Sequence, residues 1–568
     1  MSFWIYLIAI NTLFFLAGYI LNFKSQSNPM AFLFEKRDSF QAFLKIPYVR
    51  DSSDPFRILM EYTIAILMVK IFGFESTGTL VFLALLGTIG FVISTYGMIM
   101  IYIFNRVPIL HSDIAFLKVG LTIAYRIKFL IFLGAVLSGI LVYNLFYFLS
   151  ALLLALEVSN TAMLIGGILF LILGLFHIHK FNYHLFHHRT VYSFTIHLFR
   201  NYLHGIRYNF LLKKDQAFFD QYNLYKNVQL AQKPNIVIFS IESYGSIVMK
   251  KAQLRESMKE VFETYGQQLS DKGFLVRSSF SNAPQFGGGS WLSYTSFMFG
   301  MKFDDMNQYN LLFKNNSAFQ YYQSLLSYLK TRGYKNYLLC PLGGGYNDKV
   351  DWNIVQKNFD ADEFLDWNKM EYKGKRYQYL KLGYSPSDQY SLHKADQLIE
   401  EESVSPFSLF FSTLNSHMPF HSPEDVVENW EDLNSGLEDK EKIEDYNSNL
   451  LSKYQKAIRF QLSFILDYIS KKNQDDTIYI LFGDHQPPFI TDRKMGFSTP
   501  VHVISKNASF LTDFEELGFA SGFWPTHSES SIINHEGFYS LFMKAFNRTF
   551  GTNKMLELPY LAEGIQLR

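Results

Sequence analysis

Four short strings hold the side chains that could do chemistry. Glu242-Ser243 closes an apolar run, Asn235–Ile241, and Gly483-Asp484-His485-Gln486 closes another, Thr477–Phe482. Two carboxylates and an imidazole at the ends of two strand-like runs make a donor set for Zn²⁺ or Mn²⁺, because carboxylate oxygen and imidazole nitrogen suit both ions. Either string alone is weak evidence, and Asp-His pairs arise by chance. Their joint placement favours metal binding over a structural ion pair. Between them stands Phe286-Gly287-Gly288-Gly289-Ser290-Trp291-Leu292-Ser293. Three glycines let a backbone approach a ligand closely. A helix starting at Ser290 would present free N–H groups and the positive end of its dipole to an anion. A metal could deprotonate a hydroxyl held there and turn it on a phosphate ester. Without the metal set, Ser290 would read as a helix cap. His417, in Asn415-Ser416-His417-Met418-Pro419-Phe420, follows a further strand-like run. It could hold a phosphoryl oxygen or protonate a leaving group, or be a satisfied loop histidine.

These side chains need a scaffold. From about residue 233 short β-branched and aromatic runs alternate with helical stretches. Strands are expected at Asn235–Glu242, Asn336–Cys340, Phe407–Leu414, Thr477–Phe482 and Val501–Ser505, and helices near 252–270, 316–332, 388–402 and 446–472. Such alternation predicts a mostly parallel central sheet covered on both faces, an α/β sandwich. Ligands of such sheets sit beyond the carboxyl ends of the strands, which is where the four strings fall.

The preceding third of the chain is greasy. Apolar runs at 3–22, 58–74, 78–104, 129–154 and 161–178 have lengths suited to crossing a bilayer, the second being the shortest and carrying Lys70. The first lacks a basic start and a small-residue cleavage site, so it reads as a retained anchor. The spacing predicts a transmembrane domain of about five helices over 1–178, an interfacial amphipathic connector over 179–232 and a catalytic domain over 233–568. The connector's histidines, including His184 and His188 four apart, have no acidic partner nearby and read as interfacial aromatics. Across the 568 residues the net charge is +1, so no global field points to nucleic acid. The single cysteine, Cys340, excludes an internal disulfide scaffold and a cysteine-rich metal cluster.

These motifs, in this order, resemble the lipoteichoic acid synthase family of membrane phosphoglycerol transferases, within the sulfatase/alkaline-phosphatase superfamily. The resemblance covers most of the chain. It implies that Glu242, Ser290, Asp484 and His485 hold one divalent ion, Mn²⁺ or Zn²⁺ with Mg²⁺ as a third candidate. Ser290 stands where that family usually has a threonine nucleophile. His417 matches a substrate-binding histidine, and Asp351-Trp352-Asn353 a Phe-Trp-Asn substrate loop, so Trp352 and Asn353 are expected at the substrate. Arg106-Val107-Pro108-Ile109-Leu110-His111-Ser112-Asp113 is similar to a string between membrane helices in some relatives. The implied partners are the membrane, a phospholipid donor and a glycan, lipid or polymer acceptor. The implied reaction is transfer of a phosphoglycerol-like group through a covalent Ser290 intermediate.

There are departures. Ile354 replaces the family's arginine after Trp-Asn, which puts headgroup recognition in doubt. Ser290-Trp291-Leu292-Ser293-Tyr294 lacks the proline and arginine of the sulfatase maturation signal, which argues against sulfate-ester hydrolysis. One cysteine and a Gly-Asp-His-Gln string fit the phosphoethanolamine transferase branch less well. That branch, a phosphodiesterase-like hydrolase and a non-catalytic binding protein stay open as alternatives. The family places its catalytic domain outside the cytoplasm of a multi-pass cell-membrane protein. The basic residues of loops 23–57 and 105–128 favour the opposite orientation.

Overall fold

The computed structural model describes residues 2–23, 58–104, 128–179, 191–211, 213–303, 308–309, 321–344, 352–379, 383–420, 423, 425–435, 450–488, 490–491, 495–525 and 532–567. The chain separates into two compact units, 1–206 and 207–568.

In the first unit the apolar runs form helices α1 (Ser2–Phe23), α2 (Met60–Phe72), α3 (Thr77–Phe104), α4 (Lys128–Ala155) and α5 (Asn160–His179), followed by α6 (Phe194–Leu211). Phe14, Tyr62, Phe146 and Leu153 pack inward, while Leu137, Ile140, Leu141 and Phe148 of α4 and Leu164, Ile165 and Leu169 of α5 point outward and are exposed. A helix apolar on every side belongs either in the core of a large protein or in lipid. Two buried polar side chains are paired inside the unit: Asn11 accepts from the Leu59 amide at 2.7 Å, and Ser94 donates to the Phe14 carbonyl at 2.7 Å. Among the described residues two stretches, Thr77–Gly97 and Leu133–Ala155, are long and apolar enough to cross a membrane. Helix α2 has 13 residues and stops at a left-handed Gly73. It reaches about 20 Å, short of the roughly 30 Å hydrocarbon core. The stretch 106–113, the loop charges of 24–57 and 105–127, and His184, His187 and His188 lie outside the described residues.

The second unit is a three-layer sandwich. The strands of its central sheet are β1 (Asn235–Ile241), β2 (Leu275–Asn282), β3 (Lys335–Leu339), β4 (Glu363–Leu365), β5 (Phe407–Ser412), β6 (Thr477–Gly483), β7 (Ser498–Ser505), β8 (Ala520–Ser521) and β9 (Ile532–Asn534), and Tyr377–Tyr379 and Gly383–Ser385 form a separate antiparallel pair. The central sheet runs in the order β8-β2-β7-β6-β1-β5-β3-β4, with β9 also pairing β2. The run β6-β1-β5-β3-β4 is parallel; β7 is antiparallel to both β6 and β2. The larger helices are α7 (Ala252–Asp271), α8 (Ser290–Phe299), α9 (Asp388–Glu402), α10 (Leu450–Lys472), α11 (Ala508–Glu516) and α12 (His535–Phe550).

Strand β1 shows why the sandwich forms. Its side chains alternate between two cores. Ile236 and Ile238 pack with Phe297 of α8, Phe514 of α11 and Phe538 of α12, while Val237, Phe239 and Ile241 pack with Met258 of α7, Leu392 of α9 and Phe464 of α10. A strand buried on both faces reads as a continuous apolar run, as Ile-Val-Ile-Phe does here.

Candidate metal and nucleophile site

The parallel register of β1 and β6 builds the site. Gly483 pairs with Ile241, so the next residues, Asp484 and Glu242, emerge side by side at the carboxyl edge of the sheet. Ser243 then takes a left-handed conformation, φ 57°. Its amide donates to Asp484 Oδ1 at 2.7 Å, and the His485 amide donates to the same oxygen at 2.7 Å. Asp484 therefore has one oxygen fixed by the backbone and Oδ2 left to face the cluster. Glu242 is held likewise: its amide donates to Thr413 Oγ1 at 3.0 Å, and Ser243 Oγ donates to Glu242 Oε1 at 2.8 Å.

Ser290 is delivered by α8. Gly288 and Gly289 take φ of 71° and 75°, a region costly for any residue with a Cβ, and the turn they make starts the helix at Ser290. Phe297, two turns on, stacks on Phe482 of β6 with centroids 3.8 Å apart, which seats α8 against that strand's end. Ser290 Oγ donates to Glu242 Oε2 at 2.9 Å and lies 3.3 Å from His485 Nε2.

The donor spacing suits a small divalent cation. His485 Nε2 lies 3.5 Å from Glu242 Oε1 and 3.6 Å from Asp484 Oδ2, and one donor atom from each of Glu242, Asp484 and His485 lies within 4.8 Å of the others. Ligands about 2.0–2.2 Å from a shared ion stand roughly 3.0–3.6 Å from one another in octahedral or tetrahedral arrangements. The imidazole is also oriented for ligation: the contact of Nδ1 with the Gln486 carbonyl, 2.9 Å, fixes the proton there and leaves the Nε2 lone pair for the cluster.

Electrostatics point the same way. Burial and the neighbouring Glu242 charge push the Asp484 carboxyl well above its usual range. For Glu242, burial acts upward but is outweighed by His485, His417 and the hydroxyl bonds from Ser243 and Ser290, so it stays ionised. Two adjoining buried carboxylates cannot both carry charge without a cation.

His417 sits on the turn after β5, close enough for its charge to act on Glu242. Its Nδ1 faces the Met418 carbonyl at 2.7 Å, so Nε2 is the atom left for a ligand. Trp352 and Asn353 are placed elsewhere. They open the short helix Trp352–Asn358, and Trp352 stacks on Phe364 of β4 with centroids 5.0 Å apart. Strand β4 is three strand spacings from β1, about 14 Å. Asp351 lies outside the described residues.

The supporting residues were less visible in sequence. Asp388 at the start of α9, Gln461 of α10 and Tyr379 reach the His417 turn from distant parts of the chain. His535 places Nδ1 2.7 Å from Ser281 Oγ and Nε2 3.1 Å from the Gly483 carbonyl. The contact with the carbonyl braces the end of β6.

Residues 234–510 match the family model named Sulfatase. The chain carries a sulfatase-family domain. The matched segment contains all four residues of the cluster. No curated protein matches the sequence. Among solved structures, lipoteichoic acid synthase LtaP from Listeria monocytogenes is similar at 13% identity and TM-score 0.36, over 61% of this chain and 81% of that one. Phosphoglycerol transferase GacH from Streptococcus pyogenes, in complex with sn-glycerol-1-phosphate, gives 14% and 0.32 over 60% and 81%. The integral membrane lipooligosaccharide phosphoethanolamine transferase EptA from Neisseria meningitidis gives 12% and 0.37 over 84% and 91%.

Proposed function

We propose that the protein is a membrane-attached, divalent-metal-dependent phosphotransferase that moves a phosphoglycerol-like group from a phospholipid to a glycan or lipid acceptor through Ser290. The observation that carries this reading is the position of Ser290 Oγ: at the first residue of α8, 2.9 Å from Glu242 and 3.3 Å from His485. A nucleophile, an ion-binding set and a helix start thus converge on the place an anionic phosphate would occupy. Glu242, Asp484, His485 and Ser290 would hold the ion, which supplies the positive charge that favours a serine alkoxide and polarises a phosphoryl oxygen. Manganese or zinc fits the donor types.

Ser290 reacts as its alkoxide. Its Oγ–P bond forms as the P–O bond to diacylglycerol breaks, and the departing oxygen takes a proton from His417 Nε2. The acceptor hydroxyl then attacks phosphorus, returns a proton to His417 Nε2 and releases Ser290 unchanged. The free amides at the start of α8 stabilise the phosphoryl oxygens in both steps.

The exposed stripe Phe199, Tyr202, Leu203 and Ile206 on α6 supports a connector lying on the lipid surface, where donor headgroups are found. We place the catalytic domain on the extracytoplasmic side of a multi-pass anchor. The reading is tested by treating the protein with headgroup-labelled phosphatidylglycerol and phosphatidylethanolamine and locating the label by peptide mass spectrometry. Label on Ser290 that an acceptor sugar discharges is expected. Turnover with no Ser290 adduct in the native protein, together with full activity in Ser290→Ala, would refute it.

A further inference from the structure

The turn carrying His417 is not held by β5 alone. Helix α9 begins at Asp388, a wholly buried carboxyl. Its Oδ2 accepts from three donors: the Leu414 amide at 2.8 Å, the Asn415 amide at 2.6 Å and Gln461 Nε2 at 2.6 Å. The Asp388 amide donates back to Asn415 Oδ1 at 2.7 Å. Asn415 Nδ2 in turn donates to the Tyr379 hydroxyl at 2.8 Å and the Pro386 carbonyl at 3.2 Å. The Tyr379 ring meets the His417 ring edge to face, with centroids 5.5 Å apart. From the same turn, Ser416 Oγ donates to the Glu242 carbonyl at 2.6 Å. The turn is thus tied at one end to Asp388 and through Ser416 to the backbone of Glu242.

The other carboxyl oxygen, Oδ1, has no partner among the described residues. A buried carboxylate serving as a charge normally engages both oxygens, because an unpaired buried charge is costly. Asp388 uses one oxygen as a three-way acceptor and leaves the other bare.

We infer that Asp388 is a positioning residue: its Oδ2 fixes the Leu414–His417 turn, and through it His417 against the Glu242–Ser290 cluster, as a hydrogen-bond acceptor whose charge is dispensable. The inference rests on the catalytic role proposed above for His417. An asparagine can put its carbonyl oxygen where Oδ2 stands and its amide where Oδ1 stands, keeping the three bonds. Alanine leaves two buried amides and a glutamine without an acceptor.

The test uses the full chain with Asp388→Asn, Asp388→Ala, His417→Ala and the Asp388→Ala/His417→Ala pair. In the activity arm, Asp388→Asn should keep turnover within about threefold. Asp388→Ala should lose roughly 10- to 100-fold in kcat with bound metal unchanged, and the double variant should be little worse than His417→Ala, since both act through one group. In the second arm, hydrogen exchange of the Leu414 and Asn415 amides should rise in Asp388→Ala and not in Asp388→Asn. Asparagine as damaging as alanine, additive losses in the double variant, or unchanged exchange in Asp388→Ala would each overturn the inference. If the native protein shows no turnover with either phospholipid, the proposed function fails, while the exchange arm still decides whether Asp388 holds the turn.

Discussion

The closest backbone approach near the site predicts what one methyl group should do. A Cβ built on Gly483 would stand 1.8 Å from the Tyr244 carbonyl oxygen and 2.8 Å from its carbon. Neither can swing aside as a side-chain tip would, because Tyr244 belongs to the turn that follows Glu242. Side-chain Cβ atoms essentially never approach a heavy atom closer than 3.0 Å, so Gly483→Ala must open the gap by at least about 1.2 Å. The two segments forced apart are the ones that carry Asp484 and Glu242. The present donor spacings of 3.5 and 3.6 Å around His485 Nε2 cannot absorb a shift of that size and still surround one ion. Overpacking of this kind costs about 1–3 kcal/mol in stability. Disturbing the support of metal ligands typically costs roughly 10- to 100-fold in affinity. Titration of metal-stripped protein with Mn²⁺ or Zn²⁺ reads the affinity, and thermal melting without metal reads the stability. If Gly483→Ala bound metal within about twofold of the native protein, the idea that this strand end and this turn jointly hold the ion would be wrong.

Further outcomes follow from the same geometry. Ser290→Ala should fold and form no adduct, and Ser290→Thr should keep part of the activity. Ser293→Ala should stay active, since Ser293 is buried with no partner for its hydroxyl among the described residues; an adduct on Ser293, found by mass spectrometry, would defeat the mechanism. Glu242→Ala and Asp484→Ala should each lose the ion in elemental analysis. His417→Ala should keep it and lose on the order of 100-fold in turnover, whereas loss of the ion would make His417 a ligand. Burial, only partly offset by the Asn415 and Leu414 amides and Gln461, lifts Asp388 from 3.8 to about 7. An acid raised on folding binds more protons in the native state, so its contribution falls as pH rises from about 4 to 7 and is level above that. Asp388→Asn should remove that slope, worth at most about 4 kcal/mol at 1.36 kcal/mol per unit. Urea midpoints from pH 4 to 8 that fall in parallel for both proteins would rule it out.

What the sequence made legible depended on how local each signal was. The run Asn235–Ile241 followed by Glu242 shows both the strand and the residue at its end, because a doubly buried parallel strand is written as consecutive apolar residues. The helix at Ser290 was marked by the glycines before it. Strand β2, Leu275–Asn282, was not anticipated. Its sequence, Leu-Val-Arg-Ser-Ser-Phe-Ser-Asn, carries serines where apolar residues would signal burial, and those serines are buried all the same: Ser278 Oγ bonds the Gly522 carbonyl, and Ser281 Oγ meets His535. Helix α2 read as a possible span because composition registers apolar length, while the Gly73 stop that shortens it is a backbone event.

The same reasoning explains why the cluster could be listed from sequence and its support could not. Glu242, Ser290, Asp484 and His485 each follow a local punctuation, a strand end or a glycine turn, so type and position together expose them. Asp388 has neither. It stands in an ordinary amphipathic helix as Ser-Asp-Gln-Tyr, and its three partners lie 26, 27 and 73 residues away. Only the sheet order, which sets β5 beside β1, with the start of α9 over the turn that follows, brings those donors to one oxygen. A residue that touches substrate must have reactive chemistry and so betrays itself by type. A residue that positions another needs only an acceptor in the right place, and that place exists only once the chain has folded.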